Sequence, residues 1–227
     1  MAIVLVLIGL FVRFSGLPEI DPNDENSEED DSVHASRTSI FQYPYLLLGV
    51  IAIFCDVGLE IVAGDTIISY GISQGIPVAI AKHFTSMTMI AMILGYTTGV
   101  IVIPRYISQS TALRICAISG IILTILALSV PRAASVVFIA MLGMANSLIW
   151  PSVWPLAIEG LGKFTRIGSS LLIMGNLGGA LVPLLYGRLA DVINPQMAYV
   201  VVIPCYIFIL YYAIAGHKIG KRIKNLT

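Results

Sequence analysis

The stretch CDVGLEIVAGDTIISYG, from Cys55 to Gly71, decides the class of this protein. It carries three carboxylates, Asp56, Glu60 and Asp65, inside an otherwise apolar run of helical length. An acidic side chain at the centre of a membrane costs about 3 kcal/mol even on the mildest insertion scale, so it normally faces a partner or a wet cavity. The stretch therefore predicts a membrane helix that borders a polar path.

The composition of the whole chain also predicts a lipid environment. Of its 227 residues, 57% are hydrophobic and only 11% are charged, whereas soluble domains carry roughly 25% charged residues. The formal net charge is +0, so the chain has no overall field that would attract nucleic acid. Its three cysteines lie singly in apolar runs and indicate packing roles, and no motif indicates a metal or a cofactor.

Six apolar runs are each long enough to cross a bilayer core, which takes roughly 20 residues. They cover approximately residues 43–70, 79–103, 111–130, 134–158, 167–187 and 197–216. A seventh run, residues 1–17, is shorter and lacks the basic start and cleavage site of a signal peptide, so we interpret it as the end of a preceding helix. The acid-rich residues 18–40 predict a flexible linker. A six-helix domain at residues 41–217 then precedes a basic tail at residues 218–227.

The distribution of lysine and arginine predicts the orientation in the membrane. If the basic tail is cytoplasmic and the six runs alternate, three basic residues fall outside: Lys82, Arg132 and Arg188. The cytoplasmic side then holds ten: Arg13, Arg37, Arg105, Arg114, Lys163, Arg166, Lys218, Lys221, Arg222 and Lys224. This bias places the acidic linker and the C-terminus in the cytoplasm.

Asp56 and Glu60 are the leading candidates for a functional acid. Their spacing of four puts them on one helix face, near the middle of the first run. A carboxyl group at this depth is a candidate to carry a proton or to gate a path; the alternative is that a neighbouring helix holds it and it only fixes packing. Asp65 lies about 100° away and nearer the outer end. There, an ion pair with Lys82 or His83 explains it equally well.

A second group of candidates lies in NSLIWPSVWPLAIEG, residues 146–160. Trp150 and Trp154 are four apart and are expected to stack along one face. Pro151 and Pro155 each remove a helical N–H, leave a free carbonyl four residues earlier and kink the helix. Flat indole rings beside free acceptors, with Asn146 one turn earlier, suit the apolar face and hydroxyl rim of a sugar. An interfacial aromatic belt explains Trp154 equally well, but Trp150 lies deeper.

The third candidate is Asn176, in the middle of SSLLIMGNLGGALVPLLYGRLAD. An asparagine in hydrocarbon needs a partner, and a ligand hydroxyl and a neighbouring helix are equally good explanations. The glycines beside Asn176 permit the helix to flex. Pairs of glycines at small-xxx-small spacing, Gly95 with Gly99 and Gly175 with Gly179, predict close helix packing.

Together these segments resemble one family. The similarity rests on AGDTIISYG, GYTTGVIVIPRYISQ, IWPSVWPLAIEGLGKFT and GSSLLIMGNLGGALVPLLYGRLAD, in order and at the right spacing. They resemble the C-terminal half of the major facilitator superfamily, and more narrowly its fucose:proton symporter family and glucose/galactose transporter branch. The resemblance runs from LPEI at residues 17–20 to the tail. It implies an all-α polytopic membrane protein, a half-bundle whose six runs are helices seven to twelve, preceded by the end of helix six.

The resemblance also implies a function, the transport of a hexose by alternating access between two six-helix halves. It implies that Glu60, Asn146, Trp150 and Asn176 line the sugar cavity, with Trp154 a further candidate. The implied partners are a hexose, a proton with sodium as the alternative ion, the lipid bilayer and an N-terminal six-helix half. The implied location is the bacterial inner membrane.

The coupling acids of the resembled family lie in its N-terminal half, which favours a sugar-binding or gating role for Glu60. The sequence departs from the family at Cys55-Asp56, where an aromatic pair is expected, and at Asn146-Ser147, where His-Pro is common. The role of Asp56 is therefore open.

Two alternatives to an active transporter remain. The chain could be an inactive fragment, or a half-transporter that needs a separate N-terminal partner. An intramembrane enzyme is the more distant alternative. It is disfavoured because Asp56 and Asp65 lie on one helix and the sequence has no H-E-x-x-H motif. We therefore expect a protein without catalytic activity.

Overall fold

The computed structural model describes residues 39–103 and 105–221. Every regular element within these ranges is a helix, as expected from the sequence. The preceding helix end expected at residues 1–17 lies outside the described residues. So do the expected linker up to residue 38 and the tail from residue 222 onward.

Ten α-helices lie in the described part of the chain. In order they are α1 Pro44–Asp65, α2 Ile67–Ser73, α3 Val78–Ala81, α4 Phe84–Val102, α5 Gln109–Ser129, α6 Ala133–Asn146, α7 Ile149–Ile158, α8 Thr165–Met174, α9 Gly178–Val192 and α10 Val202–Ile214. Short 3-10 helices accompany them at Ile40–Gln42, Gly162–Phe164, Gly175–Leu177, Met197–Val201 and Gly216–Lys218.

Six stretches of these helices are long and apolar enough to cross a membrane. They are Pro44–Asp65, Val78–Val102, Gln109–Ser129, Ala133–Ile158, Gly162–Val192 and Met197–Ile214. The six spans expected from the sequence are thereby confirmed, with ends that differ by a few residues.

The first span ends earlier than the apolar run indicates. Helix α1 begins with Pro44, which fits the first turn because its missing N–H is not needed there. It ends at Asp65, where the Thr66 hydroxyl donates to the Val62 carbonyl at 2.6 Å. The chain then resumes as the short helix α2, so an apolar run to residue 70 is divided between two helices.

The fourth span is interrupted between α6 and α7, at Ser147 and Leu148. Pro151 falls in the first turn of α7, where a residue without an N–H is tolerated, and Pro155 lies inside the helix. The span is therefore interrupted just before Pro151, and the helix continues through Pro155. The interruption packs against α4, because a Cβ added at Gly95 would collide with Ser147.

The fifth span is interrupted by the 3-10 turn Gly175–Leu177. This turn lies against α1: a Cβ at Gly175 would lie 2.9 Å from the Val50 carbonyl oxygen, and one at Gly178 would collide with the Phe54 carbonyl. One at Gly179 would lie 3.0 Å from Val57. The close packing expected from the spaced glycines is confirmed here.

One end of the bundle is tied together at its last described residue. The Nζ atom of Lys221 lies 2.5 Å from the Glu159 carboxylate and donates to the Leu156 carbonyl at 3.2 Å. The same ammonium group lies 4.9 Å from the centre of the Tyr45 ring, and the Tyr45 hydroxyl donates to the Glu159 carbonyl at 2.7 Å. The C-terminal segment is thus held against the ends of the first and fourth spans.

The opposite end is held by a glutamine. The Gln196 side chain donates to the carbonyls of Ala127 at 2.8 Å and Val130 at 2.9 Å. Nearby, the Tyr70 hydroxyl bonds to Ser135 and the Tyr199 hydroxyl bonds to Thr66. The contacts at both ends fit spans that alternate in direction.

Candidate functional site

Glu60 and Tyr96 are two polar side chains on α1 and α4, which are neighbouring helices. Glu60 is half-buried on α1, and the exposed Tyr96 of α4 interacts electrostatically with it. Within the described residues, the Glu60 carboxyl makes neither a hydrogen bond nor an ion pair. An acid and a phenol that are open on one side can together hydrogen-bond a polyhydroxylated ligand.

Asp56 lies one turn before Glu60 but in a different environment. Its side chain is 1% exposed, and neither carboxyl oxygen has a hydrogen-bond partner among the described residues. Residues four apart on a helix are offset by about 40°. That offset turns Asp56 into the bundle and leaves Glu60 at its edge.

Asp65 is exposed at the end of α1. In the described part of the chain it forms no ion pair with Lys82 or His83, both of which are exposed at the start of the second span. The structure therefore places it apart from Asp56 and Glu60.

Trp150 and Trp154 stack on each other as expected. Their ring centroids are 4.8 Å apart and the ring planes are inclined by 27°. Both side chains are partly buried and pack against the hydrophobic core on one side. Each ring therefore covers one face of the other, and the pair lies along α7 against the core.

The two candidate asparagines occupy contrasting positions. Asn146, at the end of α6, is 3% exposed, and its Oδ1 accepts a hydrogen bond of 2.6 Å from the Tyr206 hydroxyl of α10. Its Nδ2 has no partner among the described residues. Asn176 is exposed in the 3-10 turn Gly175–Leu177. Asn146 thus faces a neighbouring helix, and Asn176 is available to a partner outside the bundle.

Sequence reasoning missed Tyr96 and Tyr206. Each is a tyrosine near the middle of a span, where a hydroxyl group needs a partner. Tyr96 directly follows Gly95 in the segment GYTTG, so it lies beside a helix-packing face. A search for hydroxyl groups at mid-span would have selected both residues.

Comparison with known proteins gives sequence relatives that are sugar transporters. No family model matches the chain. It is 30% identical over 206 residues to a glucose/galactose transporter of Brucella abortus, which covers 88% of this chain and 49% of the relative. A putative glucose/galactose transporter of Helicobacter pylori is 25% identical over 224 residues, and the L-fucose-proton symporter of Escherichia coli is 24% identical over 190 residues. The chain spans about half the length of the curated relatives it matches.

Solved structures match the fold over nearly the whole chain. Crystal structures of the Escherichia coli fucose:proton symporter FucP and of FucP in the outward conformation give TM-scores of 0.75 and 0.77. They share 21% and 22% sequence identity with this chain and cover 92% of it, and about half of each solved chain is matched. At 21% and 22% identity, these matches show that the chain shares the fold of the solved structures.

The chain is therefore a multi-pass integral membrane protein with the six-helix fold of a major facilitator superfamily half. Its sequence is similar to glucose/galactose transporters and L-fucose-proton symporters, and the matches fit a C-terminal half of such a protein. The family resemblance stated from the sequence is confirmed.

Proposed function

We propose that this chain forms the C-terminal half of a proton-coupled hexose transporter that works by alternating access. The observation that carries the proposal is the sequence similarity to proteins named as glucose/galactose transporters, which extends over 88% of the chain. The activity requires an N-terminal six-helix half, with the sugar bound between the two halves. We expect the transporter in a bacterial inner membrane with the C-terminus in the cytoplasm, and without enzymatic activity.

In this proposal, the sugar contacts come from residues that are accessible from outside the bundle. Glu60 and Tyr96 supply a carboxyl and a phenol, and Asn176 supplies an amide in a helix interruption. The stacked rings of Trp150 and Trp154 supply an apolar surface for the C–H face of a hexose. Asn146, which the resemblance placed in the sugar cavity, is left out of these contacts, because it is buried and bonded to Tyr206.

The helix interruptions support alternating access. Ser147–Leu148 and Gly175–Leu177 divide the fourth and fifth spans, and such breaks concentrate bending at defined positions. Glu60 faces the proposed sugar path, so we assign it to sugar binding or gating. Proton coupling is then assigned to the N-terminal half, and sodium is the alternative coupling ion.

The test is uptake of radiolabelled glucose, galactose and fucose by a chimera. This chain is fused to the N-terminal six helices of the Brucella abortus relative and compared with the chain alone in bacterial cells. We expect the chimera to accumulate at least one hexose and an uncoupler of the proton gradient to abolish accumulation. If accumulation persists with the uncoupler and depends on sodium, then sodium is the coupling ion. A chimera that reaches the membrane but transports no hexose contradicts the proposal.

A second test separates the two tryptophans. Trp150→Ala should weaken hexose binding by about 1–3 kcal/mol, the range for a lost aromatic surface, and leave expression near that of the parent. Trp154→Ala is measured beside it, because Trp154 is the other ring of the same stack. Normal binding in Trp150→Ala with a loss only in Trp154→Ala would contradict the deeper position assigned to Trp150.

A further inference from the structure

A cluster of polar side chains lies inside the bundle, away from the proposed sugar contacts. Asp56 of α1, Asn146 of α6 and Tyr206 of α10 are 1%, 3% and 0% exposed. The Tyr206 hydroxyl donates to Asn146 at 2.6 Å, and α1, which carries Asp56, packs against both α6 and α10. Three mutually packed helices thus each place a buried polar side chain in the core.

The hydrogen bonds within this cluster are incomplete. Both oxygens of Asp56 and the Nδ2 atom of Asn146 are buried without a partner among the described residues. A buried polar group without a hydrogen bond costs a few kcal/mol, and a buried unpaired charge costs far more. Such groups therefore reduce the stability of the folded state unless a ligand binds to them.

Among the described residues, no lysine, arginine or histidine side chain forms an ion pair with Asp56. The titratable groups that interact with it are acids, phenols and thiols: Cys55 and Glu60 of its own helix, Tyr96 of α4, Cys116 of α5 and Tyr206 of α10. A positive charge that neutralises the buried carboxylate is therefore supplied by none of the described side chains.

We propose that Asp56, Asn146 and Tyr206 form an internal binding site for a small monovalent cation, either a proton or a sodium ion. The Asp56 oxygens receive the positive charge. The Asn146 amide can complete the site by turning 180° about its last side-chain bond, because the Tyr206 hydroxyl accepts a hydrogen bond as readily as it donates one. That turn presents the amide oxygen to the cation and leaves Nδ2 bonded to Tyr206.

The site is distinct from the proposed sugar contacts. Glu60 is half-buried at the edge of the bundle, whereas Asp56 is fully buried in the core. Binding of the cation is a property of this helical unit and does not depend on hexose transport. A failure of hexose uptake would leave this proposal intact, and the reverse also holds.

Reaction with dicyclohexylcarbodiimide, an apolar reagent that adds to protonated carboxyl groups, tests the site in the purified 227-residue chain in lipid nanodiscs. Mass spectrometry of the peptide that contains Asp56 measures the modification. If a proton binds, labelling of Asp56 should fall by about tenfold across two pH units, as for a single titrating group, and sodium should not affect it. If sodium binds, replacing choline chloride with sodium chloride at constant pH should reduce labelling by a similar factor.

Thermal unfolding provides a second measurement that does not depend on access of the reagent. A cation that binds only the folded state raises the midpoint of unfolding as its concentration rises. Asp56→Asn should remove the sodium-dependent or proton-dependent part of this rise, and Asp65→Asn, which changes an exposed acid of the same helix, should retain it. If Asp56→Asn does not fold, Tyr206→Phe serves as the second variant and should weaken the same dependence.

The outcomes distinguish the ions and can overturn the proposal. Dependence on pH alone identifies a proton, and dependence on sodium at constant pH identifies sodium. If labelling of Asp56 responds to neither ion, and the parent and Asp56→Asn show the same dependence of unfolding on pH and sodium, the cluster binds no cation.

Discussion

Glu60 and Asp56 show that two acidic residues one helical turn apart can differ in burial. Glu60 has the same side chain type and nearly the same depth as its neighbour Asp56, yet it lies at the open edge of the bundle. The i, i+4 spacing predicted a shared face. It did not predict the division between edge and core, because that depends on which helix packs over each position.

Glu60→Gln keeps the size and much of the hydrogen bonding of the side chain but cannot exchange a proton. In the chimeric transporter, we expect it to weaken both accumulation and exchange of hexose, because the carboxylate makes the stronger charge-assisted hydrogen bonds to sugar hydroxyls. Counterflow of labelled hexose measures exchange, and Asp65→Asn is the matched control. Loss of accumulation with normal exchange would instead assign proton transfer to Glu60. Parental accumulation would exclude both roles.

His217 provides a pH-dependent contribution to stability at the end of the sixth span. Burial lowers the pKa of its imidazole, and the nearby Lys221, Lys218 and Arg114 lower it further, although a hydrogen bond to the Tyr212 carbonyl opposes this. The folded state therefore holds the neutral ring at pH values where the unfolded chain, with a pKa of about 6.5, takes up a proton. Its contribution is complete above that pKa and is lost as the pH falls below it.

His217→Gln should therefore reduce the loss of stability between about pH 7.5 and pH 5.5. Thermal unfolding of the purified chain at the two pH values measures this difference. His83→Gln, which replaces an exposed histidine, is the control and should leave the difference as in the parent. An unchanged pH dependence in His217→Gln would contradict the assignment.

At the scale of helices, the sequence predicted the number and order of spans well. Apolar runs and glycine spacing depend on local composition, so the six spans and the contacts of Gly95 and Gly175 followed from them. The early end of α1 did not, because the apolar run that predicted the span continues to residue 70. The bond between Asn146 and Tyr206 joins helices 60 residues apart in sequence, and no local pattern predicts it.

Two tyrosines of α10 provide a matched test of buried hydroxyl groups. Tyr206→Phe removes the donor to Asn146 and leaves a buried amide oxygen unpaired, which should cost about 1–3 kcal/mol. The Tyr212 hydroxyl is buried without a partner among the described residues, so Tyr212→Phe should be neutral or stabilising. Unfolding of the purified chain by denaturant measures both. Equal effects of the two substitutions would contradict this ranking.

Two glycines of α9 test the close packing against α1. Gly178→Ala should destabilise the chain by about 1–3 kcal/mol, because the new methyl group overlaps the Phe54 carbonyl. Gly187 has open space where its Cβ would lie, so Gly187→Ala should be neutral or stabilising by up to about 1 kcal/mol. The same unfolding experiment compares them. A stable Gly178→Ala variant would show that α1 and α9 can separate without cost.

For the whole molecule, the sequence predicted the fold that the structure shows. The orientation of the chain in the membrane is a prediction from its lysine and arginine residues. The contacts of Lys221 with Glu159 and of Gln196 with Val130 place successive span ends at two opposite faces. The distribution of lysine and arginine then assigns the Lys221 face to the cytoplasm.

Single cysteines introduced into a background without Cys55, Cys116 and Cys205 test this orientation. Asn225→Cys should react with a membrane-impermeant thiol reagent only after the cells are opened. Val78→Cys, at an exposed position of the opposite face, should react in intact cells. The acidic linker is tested in the same way with Ser27→Cys, which should behave like Asn225→Cys. The reverse pattern would invert the assigned topology.

The contacts of Lys221 have a practical consequence for producing this protein. Its ammonium group holds a carboxylate, a backbone carbonyl and an aromatic ring near the ends of two spans. An expression clone that ends at Gly220 would lack the contacts of Lys221. An affinity tag or fluorescent reporter appended after residue 227 would retain them. A boundary after Lys221 should therefore give a slightly more stable product in detergent than one before it, because an ion pair with an exposed acid contributes about 1 kcal/mol or less.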